Sequence, residues 1–468
     1  MPVLAPDVSA LLSDLGERFL SAGFEVALVG GPVRDVLLGR VERGDLDLTT
    51  SARPSDILHI LEGWADTVWD VGIRFGTVGC RKGDHILEIT TYRSEEYDPD
   101  SRKPEVTFGS SLIGDLGRRD FTVNSMALRL PDMEFVDPFG GVNDLAARVL
   151  RTPSTPEQSF SDDPLRMMRA ARFASQLDFT VAEEVVVAMT AMAERITIVS
   201  AERVREELVR LVMSPNPRTG LTLLVDTGLA AHVVPELPAL QLELDEHHRH
   251  KDVYEHSIVV LEQAIALEST HSPTSEPDLI LRMAALLHDI GKPRTRRFED
   301  GGGVSFHHHE VVGARMVRKR LTALRFSNDE IEQISRLTEL HLRFHGYGSG
   351  EWTDSAVRRY VRDAGDLLVR LHKLTRADCT TRNAKRAAML QRTYDSLEER
   401  IEVLAAEEEL ASIRPDLDGA DIMRILSIPA GPAVGEAYRF LLELRLDRGP
   451  LDPVLAEAEL RAWWSARN

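Results

Sequence analysis

GDLDLTT, residues 44–50, follows LVGGPVRDVLLGR, residues 28–40, and these two segments together decide the fold. Asp45 and Asp47 alternate with Leu46 and Leu48. In a strand, alternate side chains share a face, so the leucines point into a core and both carboxylates point away from it, roughly 7 Å apart. Like charges on one face repel unless something cationic lies between them. Taken alone, the heptapeptide better suits an exposed strand end with solvated acids.

The preceding segment argues for the cation. A strand runs into Gly30-Gly31, and Pro32 follows at a position favoured in the first turn of a helix. Glycines at a helix entrance let backbone N–H groups approach a phosphate, and Arg34 adds a charged contact. A triphosphate on the glycine turn and Mg²⁺ on Asp45 and Asp47 would be two halves of one site. There, two divalent ions roughly 3.5–4 Å apart activate an attacking hydroxyl and stabilise leaving pyrophosphate. Glu88, with Leu87 and Ile89 on the other face of its strand, is either a third carboxylate of that site or a solvent-facing strand residue.

Composition bounds the class. The 468 residues suffice for about three domains. Apolar content of 43% and charged content of 28% are those of a soluble globular chain, and no apolar run reaches the length of a membrane span. The N-terminal stretch carries acids within its apolar pattern and lacks a basic region, which argues against a signal peptide. Cys80 and Cys379 are the only cysteines. That excludes a disulfide framework and a cysteine zinc site, and it fits a reducing cytoplasm. A net charge of −19 argues against a generic nucleic-acid binder, so any RNA contact needs local basic surfaces.

Strand and helix signals alternate up to about residue 150. The segment GTVGCRKGDHILEITTYR reads as a hairpin turning at Lys82-Gly83-Asp84, and the polar stretch 95–117 as a mobile loop. Beyond 151 the strand signals stop and helical periodicity continues, broken at 214–220, 271–278 and 298–303. The expectation is an α+β head on a long helical body.

The two opening segments resemble the signature of class II tRNA nucleotidyltransferases and bacterial poly(A) polymerases, a branch of the polymerase-β-like superfamily. The resemblance continues in order through RRDFTVNSMAL (118–128), DPFGGVNDL (137–145), SDDPLRMMRAARF (161–173) and SAERVREELVRLV (200–212). It implies a nucleotidyltransferase head with a mixed or antiparallel sheet at 1–150 and a helical neck for nucleotide selection and RNA binding at 151–240. It also implies addition of C, C and A to tRNA 3′ ends from CTP and ATP. Residues matching Arg119, Asp120 and Asn124 contact ribose and phosphates in that family. Read without it, Asp120 is a helix cap with solvated arginines beside it. The DPFGGVNDL turn matches the family's hinge between head and neck, and an ordinary turn would look the same.

Asp163 and Arg166 are three residues apart, with Asp163 expected to cap a helix opened by Pro164. Cytosine and adenine each offer an amino donor beside a bare ring nitrogen, whereas uracil and guanine offer a carbonyl beside a ring N–H. A carboxylate next to a guanidinium therefore accepts C and A, at about 1–3 kcal/mol per bidentate contact. The resemblance assigns that role to Asp163 and Arg166, and Arg169 continues the face. Where the family usually has Glu-Asp, this chain has Asp162-Asp163.

Histidines cluster in the second half. His288 and Asp289 lie in LLHDIGK, His256 on an earlier helix, His309 on a later one, and Asp378 further on. Imidazole and carboxylate ligands suit transition metals. The pattern resembles HD phosphohydrolases, which implies a helical HD domain at 241–400 and a helical tail at 401–468. A second divalent metal would be held there by His256, His288, Asp289 and Asp378, joined by His309 and His341. His308 replaces the glycine of the family's motif, leaving His307, His308 and His309 open as the ligand. His247, His248 and His250 read as solvated.

Basic stretches at 292–297, 314–325 and 357–376, with the neck arginines at 203–218, are the candidate RNA surfaces. Solvated helix faces are the alternative for any one of them. The leading expectation is thus a cytoplasmic CCA-adding enzyme whose partners are the tRNA 3′ end, CTP and ATP, with no membrane and no protein partner inferable. The alternatives are a poly(A) polymerase, a CC-only or A-only enzyme, an HD phosphohydrolase with a nucleotide-binding head, and a non-catalytic tRNA binder.

Overall fold

A computed structural model describes residues 4–40, 45–70, 72–73, 76–96, 105–109, 111–241, 253–271, 277–299, 303–344, 353–381, 383–408 and 413–467. The chain divides into two compact units, Met1–Pro235 and Glu236–Asn468.

The first unit is built on a seven-stranded sheet. Its strands are β1 (Val26–Val29), β2 (Leu46–Thr50), β3 (Thr67–Trp69), β4 (Thr77–Lys82), β5 (His85–Thr91), β8 (Ala127–Arg129) and β9 (Glu134–Val136). They lie in the order β3-β4-β5-β2-β1-β8-β9. Only β2 and β5 run parallel; every other neighbouring pair is antiparallel. Leu46 and Leu48 of β2 are buried, as their alternation requires, and Asp47 faces outward. The expected hairpin forms between β4 and β5, with Lys82 opposite His85 and Gly83 at φ +59° in its turn.

Within the expected loop at 95–117, the described residues include strand and helix. β6 (Arg93–Glu96) pairs antiparallel with β7 (Glu105–Phe108), and a short helix follows at Leu112–Gly117. Polar composition hid this two-stranded ladder, because it lies outside the main sheet and needs no alternating apolar face. Residues 97–104 of that stretch lie outside the described residues. Strands also recur beyond 151: Thr180–Val181 pairs with Val149–Leu150, and Arg297–Phe298 with Val304–Ser305. Two-residue ladders are too short to carry a periodic signal.

The rest of the first unit is helical. The Leu165–Leu177 helix is buried along most of its length and packs between the Ala201–Val212 and Pro217–Asp226 helices. In the second unit the helices Val253–Leu267, Leu279–Leu287, Asn328–Leu340 and Leu368–Ala377 pack on one another. A single helix, Ala384–Glu407, runs through the expected boundary at 400/401. Three further helices (Gly419–Leu426, Pro432–Arg448 and Pro453–Ser465) close a small core around Ile422, Leu441 and Leu460. Among the described residues no helix is long and apolar enough to cross a membrane.

Gly220 sets how closely two neck helices approach. A Cβ there would lie 2.3 Å from the Ala171 carbonyl oxygen and 2.6 Å from Ser175 Oγ, the hydroxyl that accepts the Gly220 amide at 2.8 Å. Gly220→Ala should therefore cost about 1–3 kcal/mol through overpacking. The measurement is urea unfolding followed by tryptophan fluorescence. An unchanged midpoint would show that the helices part freely.

Candidate active site and metal centre

In the first unit a cleft of about 560 Å³ opens beside β2, a volume typical of small-molecule sites. Asp47 reaches it from β2, and the parallel register sets Glu88 of β5 directly beside Asp47. The cleft walls strip hydration from the Asp47 carboxyl and raise its pKa; Arg119 opposes this, while Glu88 and Asp45 raise it further. Asp45, at the exposed mouth of the strand, is thus electrostatically coupled to Asp47. Such mutual repulsion is what a bound cation relieves, and all-oxygen donors suit a hard divalent ion. Glu88 is exposed, as its solvent-facing reading expects, and it also lines the cleft beside Asp47.

Gly30 completes this corner. Its backbone is at φ +75°, and a Cβ there would come within 3.1 Å of Arg119 Nη1 and 4.0 Å of Asp47 Oδ2. Only glycine takes that conformation without strain and leaves the space open. Gly31 begins the Gly31–Leu37 helix, one residue earlier than Pro32 suggests.

Arg34 is not a free phosphate contact. Its guanidinium donates to Asp35 at 2.8 and 2.9 Å and to Asn124 Oδ1 at 2.7 Å. Asn124 in turn donates to Asp120 at 2.9 Å, and the Phe121 amide donates to the same carboxylate oxygen at 2.8 Å. The other Asp120 oxygen accepts two bonds from Arg169, one of 2.7 Å from Nε. Burial alone would push the Asp120 carboxyl up, but Arg169 and these hydrogen bonds hold it well below the carboxylate range. Asp120 does not cap an α-helix, contrary to the bland expectation. It precedes a single 3₁₀ turn, Thr122–Asn124, and anchors the Leu165–Leu177 helix to it.

The chain of charges runs on from Arg169 to Glu207, 3.6 Å away, and Glu207 is bonded at 2.5 Å to Arg172. Arg34, Arg169 and Arg172 all stack on the ring of Phe173, at 5.3, 5.5 and 3.9 Å. Sequence reading missed Glu207. Its signal was a carboxylate on the buried stripe of Val204, Leu208 and Leu211 in an amphipathic helix. It also missed Asp115, fully buried, which accepts from Arg118 and Arg119 at 2.8 and 3.2 Å. Those arginines lower its pKa despite burial.

Asp163 and Arg166 both line the cleft but do not pair with each other. The Leu165–Leu177 helix starts one residue after Pro164, and Asp163 Oδ1 accepts the Leu165 amide at 3.1 Å. Asp163 Oδ2 is held by Arg203 at 2.7 Å. Arg166 donates to Ser159 Oγ at 2.9 Å and to the Arg118 carbonyl. Gly30, Gly31, Arg34, Asp47, Arg119, Asp120, Asn124, Asp163, Arg166 and Arg169 thus share one cleft wall or another, together with Arg203 and Arg210.

The second unit gathers its histidines as the motif suggests. His288, His341 and Asp378 each cap the C-terminus of a helix, and His309 opens one. His309 is buried and sits with Asp289 and His341, whereas His307 and His308 are exposed, so His309 is the histidine of the three that joins the cluster. His308 occupies φ +61°, the left-handed conformation that explains a glycine at the matching family position. Gly291 allows the His309 helix to close in: a Cβ there would sit 2.1 Å from the His309 carbonyl. His256 Nε2 lies 3.0 Å from Asp378, and His288 Nε2 and His309 Nε2 each lie 3.2 Å from Asp289.

Each imidazole is oriented through Nδ1: His288 on the Ala285 carbonyl, His309 on that of Phe306, His341 on that of Thr338, and His256 on the Thr380 hydroxyl. The buried Nε2 atoms of His288, His309 and His341 have no satisfactory hydrogen bond. Such orphaned, pre-oriented nitrogens fit a metal ion. Burial disfavours a charged His288, yet Asp289 and Asp378 raise it to about 9; burial and His288 lower His341 to about 3. His247, His248 and His250 lie outside the described residues.

Many of the arginines expected to face RNA are taken up internally. Arg320 pairs with Glu236, Arg358 with Glu408, Arg359 with Glu443 and Asp447, Arg370 with Asp278, and Arg376 with Asp395 and Glu398.

Comparison with known proteins agrees with this layout. Family models match as follows: the poly A polymerase head domain at residues 26–151, a probable RNA and SrmB-binding site of polymerase A at 178–240, and the HD domain at 253–383. An A-adding tRNA nucleotidyltransferase of Deinococcus radiodurans is 35% identical over 446 residues, covering 93% of this chain and 95% of that protein. A CCA-adding enzyme of Levilactobacillus brevis is 45% identical over 209 residues, 44% of this chain and 51% of its own. The crystal structure of a Bacillus stearothermophilus CCA-adding enzyme in complex with CTP shares the fold, with a TM-score of 0.70, 24% identity and 99% of both chains covered. A Thermotoga maritima CCA-adding enzyme complexed with tRNA does so with a TM-score of 0.61 at 19% identity, covering 98% of this chain and 96% of the other. With a relative aligned from end to end and a matching head, RNA-binding segment and HD domain, the chain belongs to the tRNA nucleotidyltransferase and poly(A) polymerase family, in the class II form that carries an HD domain.

Proposed function

We propose that the chain adds C, C and A to tRNA 3′ ends from CTP and ATP, without a nucleic-acid template. The observation that carries this reading is a single cleft lined both by Asp47 and Glu88, beside the open Gly30 turn, and by Asp163 and Arg166. In the reaction the tRNA 3′-hydroxyl attacks the α-phosphorus of the nucleotide, the bond to the β-phosphate oxygen breaks, and pyrophosphate leaves. Asp45 and Asp47, with Glu88 beside them, would hold Mg²⁺, which supplies charge neutralisation and hydroxyl activation when bound. Gly30 leaves room for the phosphates, and Arg119 beside it offers positive charge.

Base choice falls to Asp163 and Arg166. Arg166 is preset by Ser159 and the Arg118 carbonyl. Asp163 is held by Arg203, so an incoming base must share or displace that contact. The Asp120–Arg169–Glu207 chain keeps the reading helix fixed to the sheet while this exchange occurs.

A second reading, addition of the terminal A alone, is favoured by the name of the relative matched along nearly the whole chain, whereas the Levilactobacillus brevis CCA-adding enzyme is matched over about half its length. Purified protein incubated with Mg²⁺, single nucleotides and tRNAs ending before C, after C, after CC and after CCA separates the readings. Ordered C, C, A addition followed by arrest is the expected result. Extension only of tRNA ending in CC, and only by A, establishes the second reading. Unlimited A addition would mean poly(A) synthesis, and nucleotide hydrolysis without extension would sink both.

Asp47→Asn should lower the rate of transfer by at least about 10²-fold, the scale of losing one electrostatic element of a transition-state site, while tRNA binding measured by gel shift persists. Transfer at the wild-type rate would remove Asp47 from the mechanism. Asp163→Ala should narrow the preference for C and A over U and G by roughly 10- to 100-fold, corresponding to one bidentate contact. Competition assays with mixed nucleotides measure this, and intact selectivity would refute the readout.

A further inference from the structure

We infer that Asp115 is a positioning residue that couples the Gly30–Arg119 corner of the cleft to the base-reading side chain of Arg166. The inference rests on the proposed nucleotide addition and names the group through which its phosphate and base contacts are held in step. Asp115 is not among the residues that line the cleft, and its side chain is fully buried.

The carboxylate anchors three residues that do line the cleft, Arg93, Arg118 and Arg119. Its Oδ1 accepts from Arg118 Nε at 3.1 Å, from Arg118 Nη2 at 2.8 Å and from the Arg93 backbone N–H at 3.3 Å. Its Oδ2 accepts from Arg119 Nη2 at 3.2 Å. Arg93 opens β6, so the same acid also ties down the start of the β6–β7 ladder.

Two routes leave this anchor. Arg119 presents its remaining terminal nitrogen, Nη1, to the Gly30 turn, where a Cβ would lie 3.1 Å from it. The Arg119 Nε is buried without a hydrogen-bond partner, so the bond to Asp115 is what fixes that side chain. Arg118 leads the other way. Its side chain folds back three residues onto Asp115, which pins its own peptide, and its carbonyl accepts from Arg166 Nη2. Arg166 Nη1 is held from the neck side by Ser159 Oγ at 2.9 Å. A shift of Asp115 therefore moves a cleft arginine beside Gly30 and one of the two anchors of Arg166 together.

Packing alone does not call for an acid here. Leu112 and Leu116 of the same helix already fill the core beside Ala27, Val29 and Tyr92. A buried carboxylate is costly unless its partners are paired and held in place. Charge-assisted bonds to two guanidinium groups meet that condition and fix direction as well as distance.

The test is made on the full-length chain. Asp115→Asn keeps the shape but offers a single acceptor oxygen and turns an amide N–H toward a guanidinium. Single-turnover extension of tRNA should slow by about 10²-fold, the scale of a small misplacement at a reacting centre. The preference for accepted over rejected bases should narrow by roughly 10-fold, although Asp163 and Arg166 are both present. Equilibrium binding of CTP against UTP should show the same narrowing. Leu116→Ala, a cavity on the same helix, should lower the melting temperature and leave the preference intact, which separates positioning from stability. Combined with Arg166→Ala, Asp115→Asn should cost no further selectivity, because it acts through Arg166. Losses that multiply, or wild-type selectivity in Asp115→Asn, would overturn the coupling. Should Asp115→Asn not fold, Arg118→Lys, which keeps the charge and gives up the paired hydrogen bonds, should show the same narrowing, and unchanged selectivity there would overturn it equally. A wild-type chain that extends no tRNA removes the reading underneath; wild-type extension with an indifferent Asp115→Asn removes this inference alone.

Discussion

The grip of Arg169 on Asp120 holds the first unit together at the point where its chemistry is placed. Asp120 lies in the turn that leads from the Leu112–Gly117 helix into β8, and Arg169 lies on the helix that carries Arg166. Around this pair, Asn124 and Arg34 tie in the helix that follows the glycine turn, and Glu207 ties in the next neck helix. A buried carboxylate with one partner would be a liability; one that accepts from a guanidinium, an amide side chain and a backbone N–H is satisfied and specifies a single arrangement. The carboxylates of β2 and β5 and the Asp163 and Arg166 side chains come from elements far apart in sequence, and this chain of bonds ties the helix of Arg166 to the turn beside the sheet. The stacking of three guanidinium groups on Phe173 supports the same arrangement, since a charged group over a ring face is stabilised in place.

Against that fixed frame, the acids on β2 and β5 are held in an unfavourable state. Parallel pairing places Asp47 next to Glu88 with no cation between them except Arg119 at the side. Antiparallel pairing at this point would have allowed a register in which the acids are offset. The fold instead spends the sheet's only parallel pair here. The repulsion bears on why Asp47 of β2, with Asp45 just before the strand, is tolerated beside Glu88: the stability of these acids depends on what binds, and cation binding is correspondingly favoured.

Much of this was legible in the residues. Period-two alternation fixed β2 and its outward carboxylates, and the glycine turn lay where a strand met a proline-started helix. Apolar helices ending in His or Asp foretold the second centre, because a polar ligand at a helix end costs the core little. Other features had no such signal. The β6–β7 ladder is polar and short. Asn124, bonded to Arg34, and Asp120, bonded to Arg169, lie 90 and 49 residues away from them, and no spacing announces a contact of that range. The basic stretches of the second unit looked like RNA surfaces because composition cannot tell a solvated arginine from one already paired with Glu408 or Asp395.

The two centres in one chain differ in a way that matters for how they are filled. The first offers carboxylate oxygens only, open to a cleft where nucleotide phosphates can supply further ligands. Mg²⁺ suits such a site, since it keeps part of its hydration and binds through one or two carboxylates plus phosphate. The second is buried and dominated by imidazole nitrogens oriented by backbone carbonyls, a donor set that favours first-row transition ions and releases them slowly. Exchange of metal between the centres is therefore disfavoured by donor chemistry alone. A metal held at the first would be open to exchange with each nucleotide, whereas one held at the second would be enclosed by buried side chains.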